Sequence, residues 1–348
     1  MTDRQNLLES VATTAADYRM GEIPPPTLQH VDRWVQQFEE PVQLPLLREL
    51  NHVLKKTYFS REIVSKFFAK QVKHEKIAGA NPCDFWRTAH FLEIQKQGNS
   101  QADIRNLFGE TLMSQCNIAI GDCGSDGGAF IYLDDALFSG SRIGNDLTSW
   151  VTESAPSFAV VHILVIAAHR LGEWQCLERL KKESATIGKR INFHCWAATR
   201  LENRKSYRNV SEVLWPATLP DDATLAAYMT HENKFPFQPR QPGGQVEHGI
   251  FSSEEGRQLL EREFLLAGMR IRSFSQNPSR SLRPLGFSAF GLGFGSMIVT
   301  FRNCPNNCPL ALWWGDPKAA SAHPFRKWYP LFPRKTYSKE VSFDDFTF

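Results

Sequence analysis

The chain has 348 residues, a formal net charge of +3, 42% hydrophobic residues and 22% charged residues. This length allows two domains or one α/β domain with large additions, and a 12% aromatic content excludes a disordered chain. A charge so close to zero gives no general attraction to nucleic acid, although local basic patches stay open. No apolar run reaches the roughly 18 residues that would span a bilayer, and the N-terminal stretch is not typical of a signal peptide.

Cysteine and histidine usage favours structural roles for these residues. The seven cysteines are an odd set without the spacing of a disulfide framework, so they indicate a reducing, cytoplasmic location. Cys304 and Cys308 favour buried thiols over a metal site, because their spacing fits no common zinc pattern. His162 and His169 lie in or at the end of an apolar run, and we predict a structural role for both.

The first half of the chain predicts helices followed by alternating strands and helices. Apolar residues recur at three- and four-residue steps across residues 28–73, which is typical of helices. Short apolar runs then predict strands at "AHFLEI", "CNIAI", "AFIYLDD", "SFAVVHILVIAAHR" and "INFHCWAA". Between them, "QADIRNLFGETL" and "GSRIGNDLTSWV" have helical spacing. Such alternation predicts a parallel sheet covered on both faces.

The second half predicts a looser extension. Residues 214–247 are rich in Pro and polar residues and predict a loop. A helix follows, begun by Ser252 or Ser253 and ended by Gly268. "FSAFGLGFGSMIVTF" and "PLALWWG" are interpreted as strands, the latter within "NCPNNCPLALWWG", a segment that could also roof a site. We therefore expect an α/β protein with three parts: a helical N-terminal region (1–85), a parallel-sheet core (86–213) and a loop-rich α+β C-terminal extension (214–348).

One strand ends in two carboxylates and runs into a small, hydroxyl-rich turn. Asp134 and Asp135 close the apolar run "AFIYL", and the turn opens the next helix. Amides at a helix start can hold a phosphate, because they have no intrahelical partner and the helix dipole favours an anion. Adjacent carboxylates can accept hydrogen bonds from two neighbouring hydroxyls or hold Mg²⁺. The alternative is a strand end with a solvated acidic turn. The predicted phosphate cradle comprises Ser139, Gly140, Ser141 and Arg142.

The segment "FIYLDDALFSGSRI" resembles the ribose-phosphate signature of type I phosphoribosyltransferases. The resemblance implies that Asp134 and Asp135 are the catalytic pair that binds the ribose hydroxyls, and that the cradle binds the 5-phosphate. Arg142 stands where that family often has Thr. A second segment, "FLEIQKQGNSQADI", resembles the family's pyrophosphate loop, with an ordinary strand-to-helix loop as the alternative. The residues implied for that loop are Lys96, Gly98, Asn99 and Ser100.

The longer chain resembles the divergent phosphoribosyltransferase-like proteins of bacterial conflict and antiphage-defence operons. The segments that carry the resemblance include "LLRELNHVLKKTYFS", "IQKQGNSQ", "LDDALFSGS", "RPLGFSAFGLGF" and "NCPNNCPLALWWG". It implies an effector that binds phosphoribosyl pyrophosphate or a related nucleotide, transfers or cleaves at the anomeric carbon, uses Mg²⁺ near Asp134 and Asp135, and has an operon-encoded protein or nucleic-acid partner but no membrane.

Two other classes of function stay open at this point, so the sequence leaves undecided whether the protein is an enzyme. The first is an inactive module that senses a nucleotide or scaffolds a complex. The second is a nucleic-acid-binding protein that uses the basic, aromatic C-terminal tail. Surface packing is the simpler interpretation of that tail, whose residues are Arg326, Lys327, Trp328, Arg334 and Lys335.

Overall fold

The computed structural model describes residues 2–96, 99–125, 127–231, 236–243, 249–289 and 291–334. The chain forms two compact units. The inserted unit comprises residues 61–204, and the split unit comprises the residues before and after it. Most contacts of each unit are made within that unit. The three regions predicted from the sequence stay a prediction.

Helices dominate the split unit, whereas the inserted unit alternates helices and strands. The split unit begins with α1 (Asp3–Thr14), α2 (Leu28–Val35), α3 (Glu40–Thr57) and β1 (Tyr58–Phe59). The inserted unit contains α4 (Arg61–Val72), α5 (Glu75–Ala78), α6 (Pro82–Thr88), β2 (His90–Phe91), α7 (Ser100–Cys116), β3 (Phe130–Leu137), α8 (Ser141–Glu153), β4 (Phe158–His169), α9 (Arg170–Thr186) and β5 (Arg190–Leu201). The split unit resumes with α10 (Ala223–His231), α11 (Glu254–Arg272), β6 (Val299–Thr300) and α12 (Leu310–Trp313).

The inserted unit is built on a parallel sheet of four strands in the order β2-β3-β4-β5. The strands β2, β3 and β4 are each followed by a helix that returns the chain to the same end of the sheet, as parallel pairing requires. The predicted α/β class with a parallel sheet is confirmed. The continuous apolar run "SFAVVHILVIAAH" forms β4, which is central because it pairs with β3 on one side and β5 on the other.

Alternate residues of β4 and β5 carry the core of the inserted unit. Val161, Ile163 and Val165 point to one face, where they pack with apolar residues of α8 and α9 such as Leu147 and Leu180. These side chains are 0% exposed. Every second residue of the strand therefore packs against the apolar stripes of the two helices on this face.

The split unit has its own aromatic core. Trp34 in α2 is fully buried, and its indole N–H donates to the carbonyl of Ala311 at 2.8 Å. The Trp34 ring lies 6.2 Å from that of Phe264 in α11, in an edge-on arrangement. The apolar spacing that predicted α2 thus marks the buried face of that helix. The short strands β1 and β6 pair in parallel in the same unit.

Two predicted strands are wrong, and a third is much shorter than predicted. In "CNIAI", Cys116 ends α7, Asn117 caps the helix with a φ of 54°, and a 3₁₀ turn follows at Ile120–Asp122. Among the described residues of "FSAFGLGFGSMIVTF", only Val299–Thr300 form a strand, because Gly291, Gly293 and Gly295 have positive φ angles that a strand does not allow. "PLALWWG" contains α12 instead of a strand.

Two predictions in the second half are also corrected. The predicted loop at 214–247 contains α10, where the carboxylate of Asp222 accepts from the backbone N–H of Leu225 at 2.8 Å and starts the helix. The helix begun by Ser253 continues past Gly268 to Arg272. Gly268 serves close packing instead, since a Cβ there would lie 2.4 Å from the carbonyl oxygen of Pro284.

One pair of cysteines forms a bond that was not predicted from the sequence. Cys83 and Cys116 form a disulfide, with a Cα–Cα distance of 5.4 Å. This pair could not be predicted from cysteine spacing, because the two residues are 33 positions apart and meet through the placement of α6 and α7. The predicted buried thiols Cys304 and Cys308 are confirmed, and both are 0% exposed.

Candidate ribosyl-phosphate site

Asp134 and Asp135 lie near the carboxyl end of β3, next to the central strand β4. Asp134 is only 1% exposed, whereas Asp135 is half-buried. One oxygen of Asp134 (Oδ1) accepts from the backbone N–H of Asp135 at 2.8 Å. Within the described residues, the other oxygen (Oδ2) is buried and accepts no hydrogen bond. The site therefore holds one carboxylate oxygen with unused bonding capacity.

Burial of Asp134 changes its acidity. Removal from water, followed by the nearby negative charge of Asp135, raises the pKa of Asp134 from 3.8 to about 7. The positive charge of Arg142 offsets part of this rise in pKa. A cation or a hydroxyl donor near Oδ2 would favour the ionised form, so the energetic cost of this carboxylate would fall when a ligand binds.

The turn after β3 is held tightly against the start of α9. Gly140 has a φ of 76°, and a Cβ there would lie 2.6 Å from the carbonyl oxygen of Gly172. A Cβ on Gly172 would in turn lie 1.9 Å from the carbonyl oxygen of Phe138. The two backbones can approach so closely because both positions are glycine. As a result, the backbone of this turn lies directly against the first turn of α9.

The predicted cradle residues open α8 at this turn. Gly140 is the residue that caps the helix, and Ser141 is its first residue. The hydroxyls of Ser139 and Ser141 lie 3.1 Å apart, and Ser139 is exposed. Since the first amides of a helix have no intrahelical acceptor, this end of α8 presents donors and the positive end of a helix dipole.

The loop after β2 reaches the same edge of the sheet. The side-chain carbonyl of Gln101 accepts from the backbone N–H groups of Ile94 and Gln95 at 2.9 and 3.0 Å. The side-chain carbonyl of Gln95 accepts from the backbone N–H of Gln101 at 3.0 Å. This reciprocal pair fixes the described part of the loop against the start of α7.

Ser100 joins the two predicted segments. Its hydroxyl oxygen is 3.3 Å from a guanidinium nitrogen (Nη1) of Arg142, and it accepts from the side-chain amide of Gln95 at 2.7 Å. Lys96 extends toward α8, where its ammonium group donates to the hydroxyl of Ser149 at 3.1 Å. Asn99 caps α7 without a side-chain hydrogen bond to the helix. Gly98, the remaining residue predicted for this loop, lies outside the described residues.

The sequence analysis did not identify Gly172, Tyr132 or Asp146, which support the site. Gly172 follows the apolar run of β4 by three residues, and this position was its only signal. The Tyr132 hydroxyl donates to the buried carboxylate of Asp146 at 2.9 Å and joins β3 to α8. His169, predicted to be structural, is 0% exposed, and its ring stacks on that of Phe138 at 5.1 Å between centroids. Burial lowers the pKa of His169 to about 3, so this imidazole is neutral at pH 7.

A parallel sheet of this kind, with helices between its strands, is consistent with the core of a phosphoribosyltransferase-like protein. The sequence model of the PRTase-CE family matches residues 31–334, most of the chain. The chain therefore belongs to the PRTase-CE family. Comparison with curated proteins and with solved structures finds no match.

Two further observations bear on metals and membranes. In the described part of the chain, no cluster of three or more His, Cys, Asp or Glu side chains could hold a metal ion. Any cation at Asp134 and Asp135 would therefore need ligands from a bound molecule or from water. None of the helices within the described ranges combines the length and the apolar character needed to cross a bilayer.

Proposed function

We propose that the carboxyl end of β3 binds a phosphoribosyl ligand such as phosphoribosyl pyrophosphate, and that the protein transfers or cleaves at its anomeric carbon. The observation that carries the proposal is the buried oxygen of Asp134, which has no hydrogen-bond partner within the described residues, beside a turn of small residues that opens α8. A ligand with neighbouring hydroxyls and a phosphate matches both features. Asp134 and Asp135 would accept from the ribose hydroxyls, and Ser139, Gly140, Ser141 and Arg142 would hold the 5-phosphate.

The positive groups at this edge suit the departure of a pyrophosphate. Lys96 and Ser100 lie in the loop after β2, and Ser100 contacts Arg142. Cationic groups and amides aimed at a leaving group stabilise the negative charge that develops on it. When it is ionised, Asp134 would place a negative charge close to the sugar, where this charge favours an oxocarbenium-like transition state.

The acidic pair also fits Mg²⁺. This ion takes one or two carboxylates and completes its shell with phosphate oxygens and waters, and Asp134 has a buried oxygen without a partner in the described residues. When bound, Mg²⁺ would neutralise pyrophosphate charge. Protection of the wild-type protein against thermal unfolding by Mg²⁺ with phosphoribosyl pyrophosphate, and its loss in Asp134→Asn, would support this assignment independently of activity.

A calorimetric titration with phosphoribosyl pyrophosphate and Mg²⁺ tests the proposal. We expect the wild type to bind and the Asp134→Asn/Asp135→Asn variant to bind at least tenfold more weakly, since a hydrogen bond to a charged group contributes about 1.5–3 kcal/mol. Asp122→Asn, which changes an exposed carboxylate of the same unit, is the matched control and should bind like the wild type. Equal binding by all three proteins would place the ligand elsewhere and refute the proposal.

A second candidate, a binding module without chemistry, is favoured by the burial of Asp134. A carboxylate that is 1% exposed has to gain access to a ligand through movement of its surroundings. Release of pyrophosphate, with and without added bases and nucleosides as acceptors, distinguishes the two candidates. Turnover that Asp134→Asn abolishes supports the enzyme. Tight binding without turnover supports the module.

We extend the proposal to the setting that the sequence resemblance implies, an effector of a bacterial antiphage-defence system restrained by operon partners. The support is the resemblance of segments such as "IQKQGNSQ" and "LDDALFSGS". The plating efficiency of phages on cells that carry the operon measures this role. Protection by the wild type that Asp134→Asn/Asp135→Asn removes is expected, and protection by neither protein would overturn it.

A further inference from the structure

A second surface lies at the opposite end of the sheet. An open depression of about 1240 Å³ is lined by the first residues of β3, β4 and β5, including Phe130, Phe158 and Arg190. Asp134 lies four residues further along β3 than Phe130, which corresponds to roughly 13 Å of extended strand. The depression is therefore separate from the candidate ribosyl-phosphate site.

One face of β4 and β5 is open at this end. Residues that are partners across parallel strands point to the same face, and these partners include Phe158 with Arg190, and His162 with His194. Phe158 is 69% exposed and the next residue of that face, Val160, is 38% exposed. Large apolar side chains exposed side by side on a sheet mark an interaction surface.

Rings on this face are held in fixed positions. The rings of His162 and His194 stack at 5.4 Å between centroids. The indole N–H of Trp196 donates to a ring nitrogen of His162 at 2.9 Å and fixes the orientation of that ring. Phe85 of α6 lies edge-on to His162 at 6.1 Å. Exposed His194 thus forms the outer ring of an ordered aromatic stack.

The charged side chains that line the depression are all positive. Its lining includes Lys76, Lys181, Lys189 and Arg190, and none of the described residues that line it is an Asp or a Glu. Lys181 pairs with Glu178 outside the lining at 2.9 Å, and Lys189 donates to main-chain carbonyls at the end of α8. Within the described residues, Lys76 and Arg190 form no ion pair and are exposed, so both cations are available to an anion.

We propose that this open face binds single-stranded nucleic acid. The face is defined by Phe158, Val160, Arg190, His194 and Lys76. Bases stack on exposed rings whatever their sequence, and cations alongside bind the phosphates. Small-molecule sites enclose most of their ligand, whereas Phe158 keeps most of its surface in water, so an extended ligand fits better than a compact one. The guanidinium of Arg190 lies 5.8 Å from the centre of the Phe158 ring, which places a phosphate contact beside a stacking position.

Fluorescence anisotropy with labelled oligo(dT) and oligo(U) of about 12 nucleotides tests the proposal. We expect Phe158→Ala and Arg190→Glu each to weaken binding about tenfold, because one stacked base contributes roughly 1–3 kcal/mol. The matched controls are Trp174→Ala, an aromatic residue on α9 that is 60% exposed outside this face, and Lys182→Glu, which makes the same change of charge outside it. Both controls should bind like the wild type.

Salt dependence supplies an independent measure. With two or three phosphates held, the slope of log affinity against log salt should be about −2, and Arg190→Glu should make it shallower. Absence of binding by the wild type, or equal binding by Phe158→Ala and Trp174→Ala, would overturn the proposal. A dimer in sedimentation that Phe158→Ala dissociates would assign the face to a second copy instead and would also overturn it. Asp134→Asn should leave oligonucleotide binding unchanged, which separates this result from that of the ribosyl-phosphate site.

Discussion

Substitution of Asp134 by Asn should make the protein more stable at alkaline pH while it removes ligand binding. The carboxyl group is 1% exposed and its pKa is raised from 3.8 to about 7, first by burial and then by the charge of Asp135. Asn has the same shape but no charge, and its side-chain carbonyl can still accept from the backbone N–H of Asp135, which lies 2.8 Å from Oδ1. The substitution therefore removes the charge and little else.

The size and the sign of the effect follow from the shift in pKa. One pKa unit corresponds to about 1.4 kcal/mol, so the ionised carboxylate costs the folded state up to about 4 kcal/mol. Because the folded-state pKa is raised, the folded state binds the proton more tightly than the unfolded state. Stability of the wild type should fall as the pH rises from about 4 to about 7 and should stay at the lower level above that. Asp134→Asn lacks this contribution.

Urea denaturation at a series of pH values measures the difference. At pH 8 we expect Asp134→Asn to be about 2–4 kcal/mol more stable than the wild type, and near pH 4 we expect the two proteins to be equally stable. Asp122→Asn, which removes an exposed carboxylate of the same unit, is the matched control, since the charge of Asp135 itself contributes to the raised pKa of Asp134. Parallel pH profiles for the wild type and Asp134→Asn would refute the assignment of a raised pKa to this group.

Two further predictions test how the inserted unit is stabilised. Gly140→Ala should destabilise the protein by about 3 kcal/mol or more, because a Cβ would lie 2.6 Å from the carbonyl oxygen of Gly172 and the φ is 76°. Gly188→Ala has a similar φ of 73° with nothing within 4 Å, so it should cost only about 1 kcal/mol; equal losses in urea denaturation would contradict the proposed contact. The Cys83–Cys116 disulfide joins residues that are 33 positions apart. Its reduction should lower stability by about 4 kcal/mol. Cys83→Ser/Cys116→Ser should be insensitive to the reductant, and an unchanged urea midpoint of the reduced wild type would argue against the bond.

The parts of the fold that the sequence predicted are those where local pattern and burial agree. Strand β4 was predictable because its apolar run is longer than any other and is buried from Val161 to His169. The turn after β3 was predictable because Gly140 and its neighbouring serines are small residues between an apolar strand and a helical pattern. These features depend on neighbours in sequence, so they can be identified without knowledge of the fold.

The features that were missed depend on contacts between distant residues. Gly268 was expected to end α11, but its lack of a side chain serves the approach of Pro284. Cys83 meets Cys116 because the fold brings the start of α6 to the end of α7. The close approach of Gly140 to Gly172 likewise joins the turn after β3 to the first turn of α9, which follows β4. Local sequence contains no signal for such pairs, because composition at one position does not reveal its partner.

The inserted unit has a consequence for the order in which the nascent chain can fold. Strand β1 ends at Phe59, before this unit begins, and its partner β6 lies about 240 residues later, at Val299–Thr300. At a synthesis rate of about 5–20 residues per second, residues 61–204 are available to fold several seconds before β6 leaves the ribosome. During that interval the apolar faces of α2 and α3 lack α11, against which they pack in the finished protein. The apolar faces of α2 and α3 therefore stay partly uncovered until α11 has been synthesised.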